Sequence, residues 1–210
     1  MNRYNRLYPF AFHFQVNKPA GIPVFTHKGG YGDFTVRAAL PRVLAEPQEG
    51  TAKGLRRPHP AHRIDRPTSG LLICAKTQPA LAGLADQFKN RKIEKSYVAL
   101  LNGVPSEYRE ISKTLKPKES LDLIDEKWHT INFPIEEKEA ISKWKATKIC
   151  HSPFAKDEIL TLVEVQPKTG RKHQIRRHMV CLPMMIILLI AMPIKRYYVS
   201  GLGVGLPSCG

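Results

Sequence analysis

The sequence predicts an α+β fold with a mixed or mostly antiparallel sheet flanked by helices. Short apolar runs of strand length dominate, helical patterns intervene between them, and turn residues separate the segments. The chain has 210 residues, enough for one domain with a substantial core or for two small lobes. The sequence contains no repeat at a solenoid period and no low-complexity tract.

The first half of the chain alternates strands with helices. Residues 10–16 form an apolar run of strand length and end in turn residues. Residues 35–44 have helical spacing, with Val36, Ala39, Leu40 and Val43 on one face. Residues 46–60 are polar and rich in Pro and Gly, which predicts a surface loop. Residues 71–75 are apolar and predict a buried strand.

Residues 79–165 contain one clear helix, three further strands and a long irregular segment. Residues 79–90 predict a helix whose buried stripe is formed by Leu81, Leu84, Ala85 and Phe88. Residues 95–101, 144–150 and 159–165 predict strands. Residues 104–139 are charged and irregular, which predicts a long insertion or mobile loop.

The charge balance indicates a polyanionic partner. Lys and Arg outnumber Asp and Glu by 33 to 18, which gives a formal charge of +15. Nucleic acid is the first candidate and an acidic membrane the second, while a basic protein without a particular partner is the plain alternative. The apolar run at residues 180–194 contains two prolines and is shorter than the roughly 20 residues of a bilayer span. We therefore expect no stable membrane association.

The cysteines predict neither a metal site nor a disulfide framework. Four cysteines are scattered without a C-x-x-C pair or a Cys/His cluster. Reduced thiols are typical of an intracellular protein. We expect the cytoplasm, with an organelle or the nucleus left open because Arg3 and Arg6 faintly resemble an import signal.

A lone carboxylate among cations stands out at residues 62–70. Asp65 lies between Arg63 and Arg66, on a turn that leads into an apolar strand. Cations at that distance favour an ionised acid, which suits a nucleophile or a base. A loop acid that is merely neutralised by its neighbours is the alternative.

Tyr97 and the segment at residues 167–178 are further candidates. Tyr97 follows a basic residue in a strand, where it can stack on a base or serve as a core tyrosine. Five cations and no acid fall within residues 168–177. If a helix begins near Gly170, like charges share faces at i, i+4 spacing, which an external phosphate or an enzyme carboxylate would explain. A solvated basic face is the alternative.

Together these motifs resemble the RluA-type family of RNA pseudouridine synthases over residues 12–179. The family's H-R-L-D-x-x-T-S-G-L-L motif matches residues 62–72, with Ile64 in place of Leu. Its K-x-Y-x-A strand matches Lys95, Tyr97 and Ala99, and its G-R-x-H-Q-I-R-x-H motif matches residues 170–178. The turn at residues 17–21 is also similar to the family's. Residues 168–178 are most similar to the branch that modifies tRNA.

The resemblance implies an isomerase that converts uridine to pseudouridine without a metal or an organic cofactor. It implies that Asp65 is the essential carboxylate; attack on C1′, attack on the pyrimidine and removal of the C2′ proton all stay open. Arg176 matches the arginine that pairs with this aspartate. Tyr97 matches the residue that stacks on the target ring.

The resemblance also implies an RNA-binding surface. Arg63 matches a side chain that fills the gap left by the extruded nucleotide. The other cations are expected to bind phosphates of a tRNA or rRNA stem-loop without reading its sequence; they are Arg66, Lys168, Arg171, Lys172, His173 and Arg177. We expect a monomer.

The resemblance stops at residue 180. We expect residues 1–179 to form the catalytic domain and residues 180–210 to be an apolar tail without a strand or helix period. A frameshift or unremoved intron, a truncated paralogue and a divergent tail are the explanations that stay open. The chain would then be a truncated synthase, for which a non-catalytic RNA-binding protein is the alternative. A basic membrane-surface protein is a second alternative.

Overall fold

The chain is described by a computed structural model over residues 13–26, 34–43, 54–123, 127–180, 182 and 185–192. These residues divide into two compact units, one that ends at Ile93 and one that starts at Glu94. The boundary that we expect after residue 179 stays a prediction. Among the described residues, no helix is long and apolar enough to cross a membrane.

The first unit is built on β3 (Ser69–Thr77), which pairs antiparallel with β1 (His13–Lys18) and β2 (Gly54–Pro60). Residues 72–75 of β3 are fully buried, which explains why they read as a continuous apolar run. The sequence predicts a surface loop at residues 46–60, and this prediction is wrong in part, because residues 54–60 form β2. Its prolines are tolerated because pairing with β3 is irregular, with a register shift between Gly54 and His59. Residues 10–12 and 46–53 lie outside the described residues.

Two helices of the first unit confirm the helical spacing in the sequence. α1 (Val36–Val43) starts after Thr35, whose hydroxyl oxygen accepts a hydrogen bond from the Ala38 N–H at 3.1 Å. α2 (Gln78–Lys89) starts after Thr77, which caps the Ala80 N–H in the same way at 3.3 Å.

The buried face of α2 differs in part from the predicted stripe. It is centred on Ala80, Leu84 and Gln87, while Ala85 is exposed. The stripe therefore includes a polar residue, Gln87, whose side-chain amide donates to the Gly83 carbonyl at 3.4 Å.

The second unit is an antiparallel sheet with β8 (Ile159–Pro167) between β4 (Tyr97–Asn102) and β7 (Ile141–His151). Every second residue of β8 is buried, and these residues form a core with Trp144, Ile149 and Met179. The strands predicted at residues 95–101, 144–150 and 159–165 are confirmed as β4, β7 and β8. The α+β class with mostly antiparallel strands is confirmed as well.

The irregular segment predicted at residues 104–139 contains regular structure. A 3-10 turn (Ser106–Tyr108) leads into α3 (Arg109–Ser112), and β5 (Ser120–Asp122) and β6 (His129–Asn132) both pair antiparallel with β7. These elements have three or four residues each. Elements so short carry no readable periodicity, and β5 is exposed along its whole length.

The last described elements correct two expectations. α4 (Gln174–Val180) begins four residues after Gly170, because His173 has a positive φ of 54° that interrupts helical geometry. Residues 185–191 form β9 (Met185–Ala191), which pairs antiparallel with β4, where the sequence indicates no strand period. Backbone pairing does not require alternation, and only Leu189 and Ala191 of β9 are buried.

Candidate functional site

Asp65 lies between β2 and β3, in a turn at residues 61–68 that we call the acid turn. The carbonyl oxygen of Asp65 accepts a hydrogen bond from the Thr68 N–H at 3.1 Å, which closes the turn. Ile64 and Thr68 are buried, whereas Asp65 is only half-buried. The turn therefore fixes the backbone of Asp65 and leaves the residue partly accessible to solvent.

His62 attaches the acid turn to β3. Its Nε2 accepts a hydrogen bond from the Ile73 N–H at 3.0 Å, and the Ala61 N–H donates to the Ile73 carbonyl at 2.9 Å. The imidazole also packs on the ring of Phe88 in α2, with centroids 4.7 Å apart. Because Nε2 is an acceptor, the proton of the neutral ring is on Nδ1.

Lys18, the last residue of β1, is a fully buried cation beside the acid turn. Its Nζ donates to three carbonyl oxygens, those of Pro19 at 2.8 Å, Ile22 at 2.9 Å and Arg66 at 3.2 Å. Burial lowers the pKa of Lys18, and attraction to Asp65 opposes that shift. All three ammonium donors are thus used, and the charge acts on Asp65.

The two arginines of the acid turn are both exposed. The Nε of Arg66 donates to the Gly21 carbonyl at 2.9 Å, and the Gly21 N–H donates to the Arg66 carbonyl at 2.8 Å. Gly21 has a φ of +88°, which favours glycine at this position. Arg66 therefore ties the acid turn to the turn after β1, while Arg63 presents an exposed side chain.

Tyr97 and Arg176 belong to the second unit, and Asp65 belongs to the first. Tyr97 is the first residue of β4, is half-buried, and lies opposite Val165 on β8 and Ala191 on β9. Arg176 lies in α4 and is exposed.

Residues 168–178, which we call the basic segment, run from the end of β8 into α4. The Lys168 N–H donates to the Ile141 carbonyl at 2.9 Å, and the Nζ of Lys95 donates to the Thr169 carbonyl at 3.2 Å. Of the basic side chains predicted as site residues in this segment, four are exposed and two are half-buried. The exposed ones are Lys168, Lys172, Arg176 and Arg177, and the half-buried ones are Arg171 and His173.

Four buried polar side chains connect the basic segment to β7, and we call them the anchor network: Ser142, Thr169, Gln174 and His178. The amide nitrogen of Gln174 donates to the Ile141 carbonyl at 2.9 Å and to the Ser142 hydroxyl at 3.0 Å. Its amide oxygen accepts from the Thr169 hydroxyl at 2.7 Å and from the Arg171 N–H at 2.9 Å. All hydrogen-bonding positions of this amide are therefore filled.

His178 occupies the other end of the anchor network. Its Nδ1 lies 2.9 Å from the Ser142 hydroxyl and its Nε2 lies 3.0 Å from the Phe133 carbonyl oxygen. Burial lowers the pKa of His178, and the bond to the Phe133 carbonyl opposes the shift. A carbonyl oxygen only accepts, so Nε2 carries a proton and the Ser142 hydroxyl donates to Nδ1.

Residues 133–139 line the basic segment. Arg177 forms an ion pair with Glu136 at 3.0 Å, and the Nε of Arg171 donates to the Glu139 carbonyl at 2.9 Å. An open cavity of about 360 Å³ is lined by side chains of α4, by the residue that precedes α4, and by two apolar residues of β9. Its lining residues are His173, Arg176, Arg177, Val180, Met185 and Ile186. Within the described ranges, no three His, Cys, Asp or Glu side chains are grouped to hold a metal ion.

Sequence reasoning missed the residues that hold the two segments in place. A lysine at the end of a strand normally predicts exposure, and only the structure shows that three carbonyls surround Lys18. A signal for Gln174 and His178 did exist. Their i, i+4 spacing, with apolar Ile175 and Met179 one residue further on, is typical of the buried face of a helix.

These observations define a class of protein with three features: an antiparallel α+β fold, a half-buried aspartate in one turn, and an anchored basic segment. Residues 13–180 match the family model described as RNA pseudouridylate synthase. The chain therefore belongs to the RNA pseudouridylate synthase family. The resemblance to the RluA-type branch is confirmed by the relatives that it matches.

Two bacterial relatives illustrate the similarity. The chain is 37% identical over 168 residues to tRNA pseudouridine synthase C of Haemophilus ducreyi, a match that covers 78% of this chain and 63% of that protein. It is 35% identical over 164 residues to ribosomal large subunit pseudouridine synthase D of Zymomonas mobilis, covering 78% of this chain and 48% of that protein. The chain thus spans about half to two thirds of the length of these curated relatives.

Solved structures show the same fold. The human RNA Pseudouridylate Synthase Domain Containing 4 structure has a TM-score of 0.53 and 23% identity, with 83% of this chain and 63% of that chain covered. The Domain Containing 1 structure has a TM-score of 0.52 and 19% identity, with 85% and 72% covered. The chain therefore shares its fold with two proteins to which it is less than 25% identical.

Proposed function

We propose that this chain isomerises specific uridines of structured RNA to pseudouridine, with Asp65 as the catalytic carboxylate. One observation carries the proposal: the family motif presents Asp65 half-buried on a turn that the buried Lys18 holds through the Arg66 carbonyl. A catalytic carboxylate needs a fixed backbone and partial access, and the acid turn provides both.

The proposed reaction exchanges one bond of the uracil ring for another. The N1–C1′ bond breaks, a C1′–C5 bond forms, C5 loses its proton and N1 gains one, so neither a metal nor an organic cofactor is required. Asp65 acts on the substrate; attack on C1′, attack on the ring and removal of the C2′ proton are all compatible with a partly accessible carboxylate. Tyr97 is proposed to stack on the target ring and Arg176 to pair with Asp65.

The basic segment is proposed to bind the phosphate backbone of the RNA. Its exposed RNA-binding side chains, Lys168, Lys172 and Arg177, supply positive charge that carries no sequence information. Arg171 adds charge from the same segment, where His173 is a further basic side chain, and Arg63 and Arg66 add charge at the acid turn. We propose that Arg63 fills the gap left by an extruded nucleotide.

We propose tRNA before rRNA as the substrate. Residues 168–178 are most similar to the tRNA-modifying branch, and the name of the Haemophilus ducreyi relative agrees with that choice. The name of the Zymomonas mobilis relative supports rRNA as the alternative. We further propose a monomeric cytoplasmic enzyme, which gel filtration of the purified chain and localisation of a tagged copy would test.

The proposed activity is tested by tritium release from RNA labelled at uridine C5. The purified 210-residue chain should release tritium from tRNA, and Asp65→Asn should reduce the release by at least about 10³-fold, as loss of an essential group does. Asp157→Asn is the matched control, because Asp157 is an exposed acid in the second unit whose positive φ of 54° suits Asn.

Three outcomes distinguish the proposals. Release by the parent and the control but not by Asp65→Asn supports Asp65 as the catalytic carboxylate. Equal release from all three proteins would contradict that role. No release from tRNA or rRNA, with RNA binding intact, would favour the non-catalytic RNA-binding alternative.

A further inference from the structure

The anchor network is a hydrogen-bond chain with one consistent direction. The Nε2–H of His178 donates to the Phe133 carbonyl, and the Ser142 hydroxyl donates to Nδ1. The Ser142 oxygen accepts from the Gln174 amide nitrogen, and the Gln174 amide oxygen accepts from the Thr169 hydroxyl. Every donor in the chain meets one acceptor, so the chain fixes the side chains that it contains.

The same chain fixes the rotation of α4 about its axis. Gln174 and His178 are one turn apart and both face β7 through Ser142. Arg176 and Arg177 lie between them in sequence and are both exposed. A rotation of α4 that turned these arginines inward would break the bonds of Gln174 and His178 together.

The chemistry of the anchor network is neutral, although it lies inside a strongly cationic segment. An amide, two hydroxyls and an imidazole hold α4, where carboxylates would form stronger bonds to the neighbouring arginines. A buried carboxylate at these positions would also cancel the positive charge of the basic segment. Neutral anchors orient the cations and leave their charge for an external anion.

We propose that Gln174, Ser142 and His178 are positioning residues that orient Arg177 and the other RNA-binding cations of the basic segment toward the phosphate backbone of RNA, without a buried acid that would neutralise them. The inference rests on the proposed function, since it assigns an orienting role within the proposed RNA-binding segment. These three residues do not touch the RNA; they act through α4.

The test compares two variants that each remove one buried hydroxyl from the sheet of the second unit. Ser142→Ala removes the link between Gln174 and His178. Thr161→Val is the matched control, because the Thr161 hydroxyl is fully buried and donates to the Gly103 carbonyl at 2.7 Å, outside the anchor network. RNA affinity is measured at several salt concentrations, and urea unfolding reports the stability of each protein.

Ser142→Ala should weaken RNA binding roughly fivefold and lower the slope of log affinity against log salt by about 1, as loss of one phosphate contact does. Thr161→Val should leave affinity and slope at the parent values while shifting the urea midpoint to a similar extent. Ser142→Thr, which restores the hydroxyl, should recover the salt slope. A merely structural role for Ser142 would not separate these variants.

The inference is overturned if Ser142→Ala keeps the parent affinity and slope, or if Thr161→Val changes both to the same extent. Failure of the proposed synthase activity gives a different result. In that case the parent binds RNA but releases no tritium, and the salt slopes still decide whether Ser142 positions α4. If the parent binds no RNA at all, the RNA-binding proposal and this inference fall together.

Discussion

The acid turn of the first unit and the basic segment of the second are held in place by opposite kinds of chemistry. A charged side chain, Lys18, secures the acid turn through the Arg66 carbonyl, binds the Pro19 and Ile22 carbonyls of the turn after β1, and attracts Asp65. Neutral side chains secure the basic segment, with Gln174 and Ser142 at the centre of their hydrogen bonds. Each segment therefore has an anchor that suits the charge that it presents.

The difference follows from the number of charges on each segment. A buried cation gains from a single nearby carboxylate, because the attraction to Asp65 offsets part of the cost of burying the charge of Lys18. Several cations in one segment repel each other, and a buried acid would relieve that repulsion by pairing with them. The anchor network leaves the repulsion in place, which makes binding of an external polyanion more favourable.

The largest expected effect comes from removing the charged anchor. Lys18→Met leaves the Pro19, Ile22 and Arg66 carbonyls without their donor, so the free energy of unfolding should fall by about 3 kcal/mol. Lys89→Met, an exposed position on α2, should change it by less than about 0.5 kcal/mol. Urea unfolding at neutral pH measures both. A loss below about 1 kcal/mol for Lys18→Met would show that the charged anchor contributes little.

Acid should weaken both units through two histidines, the buried His178 and the half-buried His13. Burial lowers the pKa of His178 and of His13, with repulsion from Lys76 as a second cause at His13. The unfolded chain then binds more protons than the folded one below the usual value of 6.5, so stability is complete above pH 6.5 and falls as the pH decreases.

The contribution of each histidine is separated by comparing slopes. The free energy of unfolding is measured by urea between pH 5 and pH 8 for the parent, His178→Gln and His13→Gln. Each variant should depend on pH less steeply than the parent, because one shifted group has been removed. Parallel curves for the parent and His178→Gln would contradict the buried, neutral state of this ring.

Sequence periodicity predicts those elements whose own residues decide their structure. Leu81, Leu84 and Phe88 have helical spacing in α2, and residues 159–165 form an apolar, β-branched run of strand length in β8, so both elements are evident in the sequence. β2 is not evident, because its prolines suggest a loop and its strand character comes from distant pairing with β3. The start of α4 was misplaced for a related reason, since the left-handed backbone of His173 is set by the turn before the helix.

In the candidate site, too, the sequence predicts some residues and not others. Asp65, Tyr97 and Arg176 were proposed from motifs, and these motifs lie in the segment that the family model matches. The spacing of Gln174 and His178 indicates their burial, but the hydrogen bonds that these residues form depend on three-dimensional contacts. Lys18 is the clearest example of a residue without a sequence signal, because one of its three acceptors is the Arg66 carbonyl, 48 residues away along the chain.

A smaller effect is expected when one exposed cation of the basic segment is removed. Lys172→Gln takes away one phosphate contact, so RNA affinity should fall a few-fold and the salt slope by roughly 0.8. Lys89→Gln removes the same charge from the first unit and should leave the slope unchanged. Filter binding at several salt concentrations measures both variants. Equal slopes for Lys172→Gln and the parent would remove Lys172 from the RNA-binding surface.

The smallest expected effect lies at the ion pair between Glu136 and Arg177, an exposed helical cation of the basic segment. Arg177 and Glu136 are 3.0 Å apart, and both side chains are largely exposed. Exposed pairs of this kind contribute less than about 1 kcal/mol, so Glu136→Gln should leave the unfolding free energy almost unchanged. It should raise RNA affinity by about twofold or less, because Arg177 then has no ion pair with Glu136 to break before it binds a phosphate.

Glu110→Gln is the matched control for Glu136→Gln, since Glu110 pairs with Lys113 at 2.7 Å on the surface of the same unit but outside the basic segment. It should lower net negative charge equally without raising the affinity as much as Glu136→Gln does. If the two variants bind RNA equally, the gain is a general charge effect and Arg177 has no special part in binding. If only Glu136→Gln binds more tightly, a carboxylate beside the basic segment weakens RNA binding, which is the cost that the neutral chemistry of the anchor network avoids.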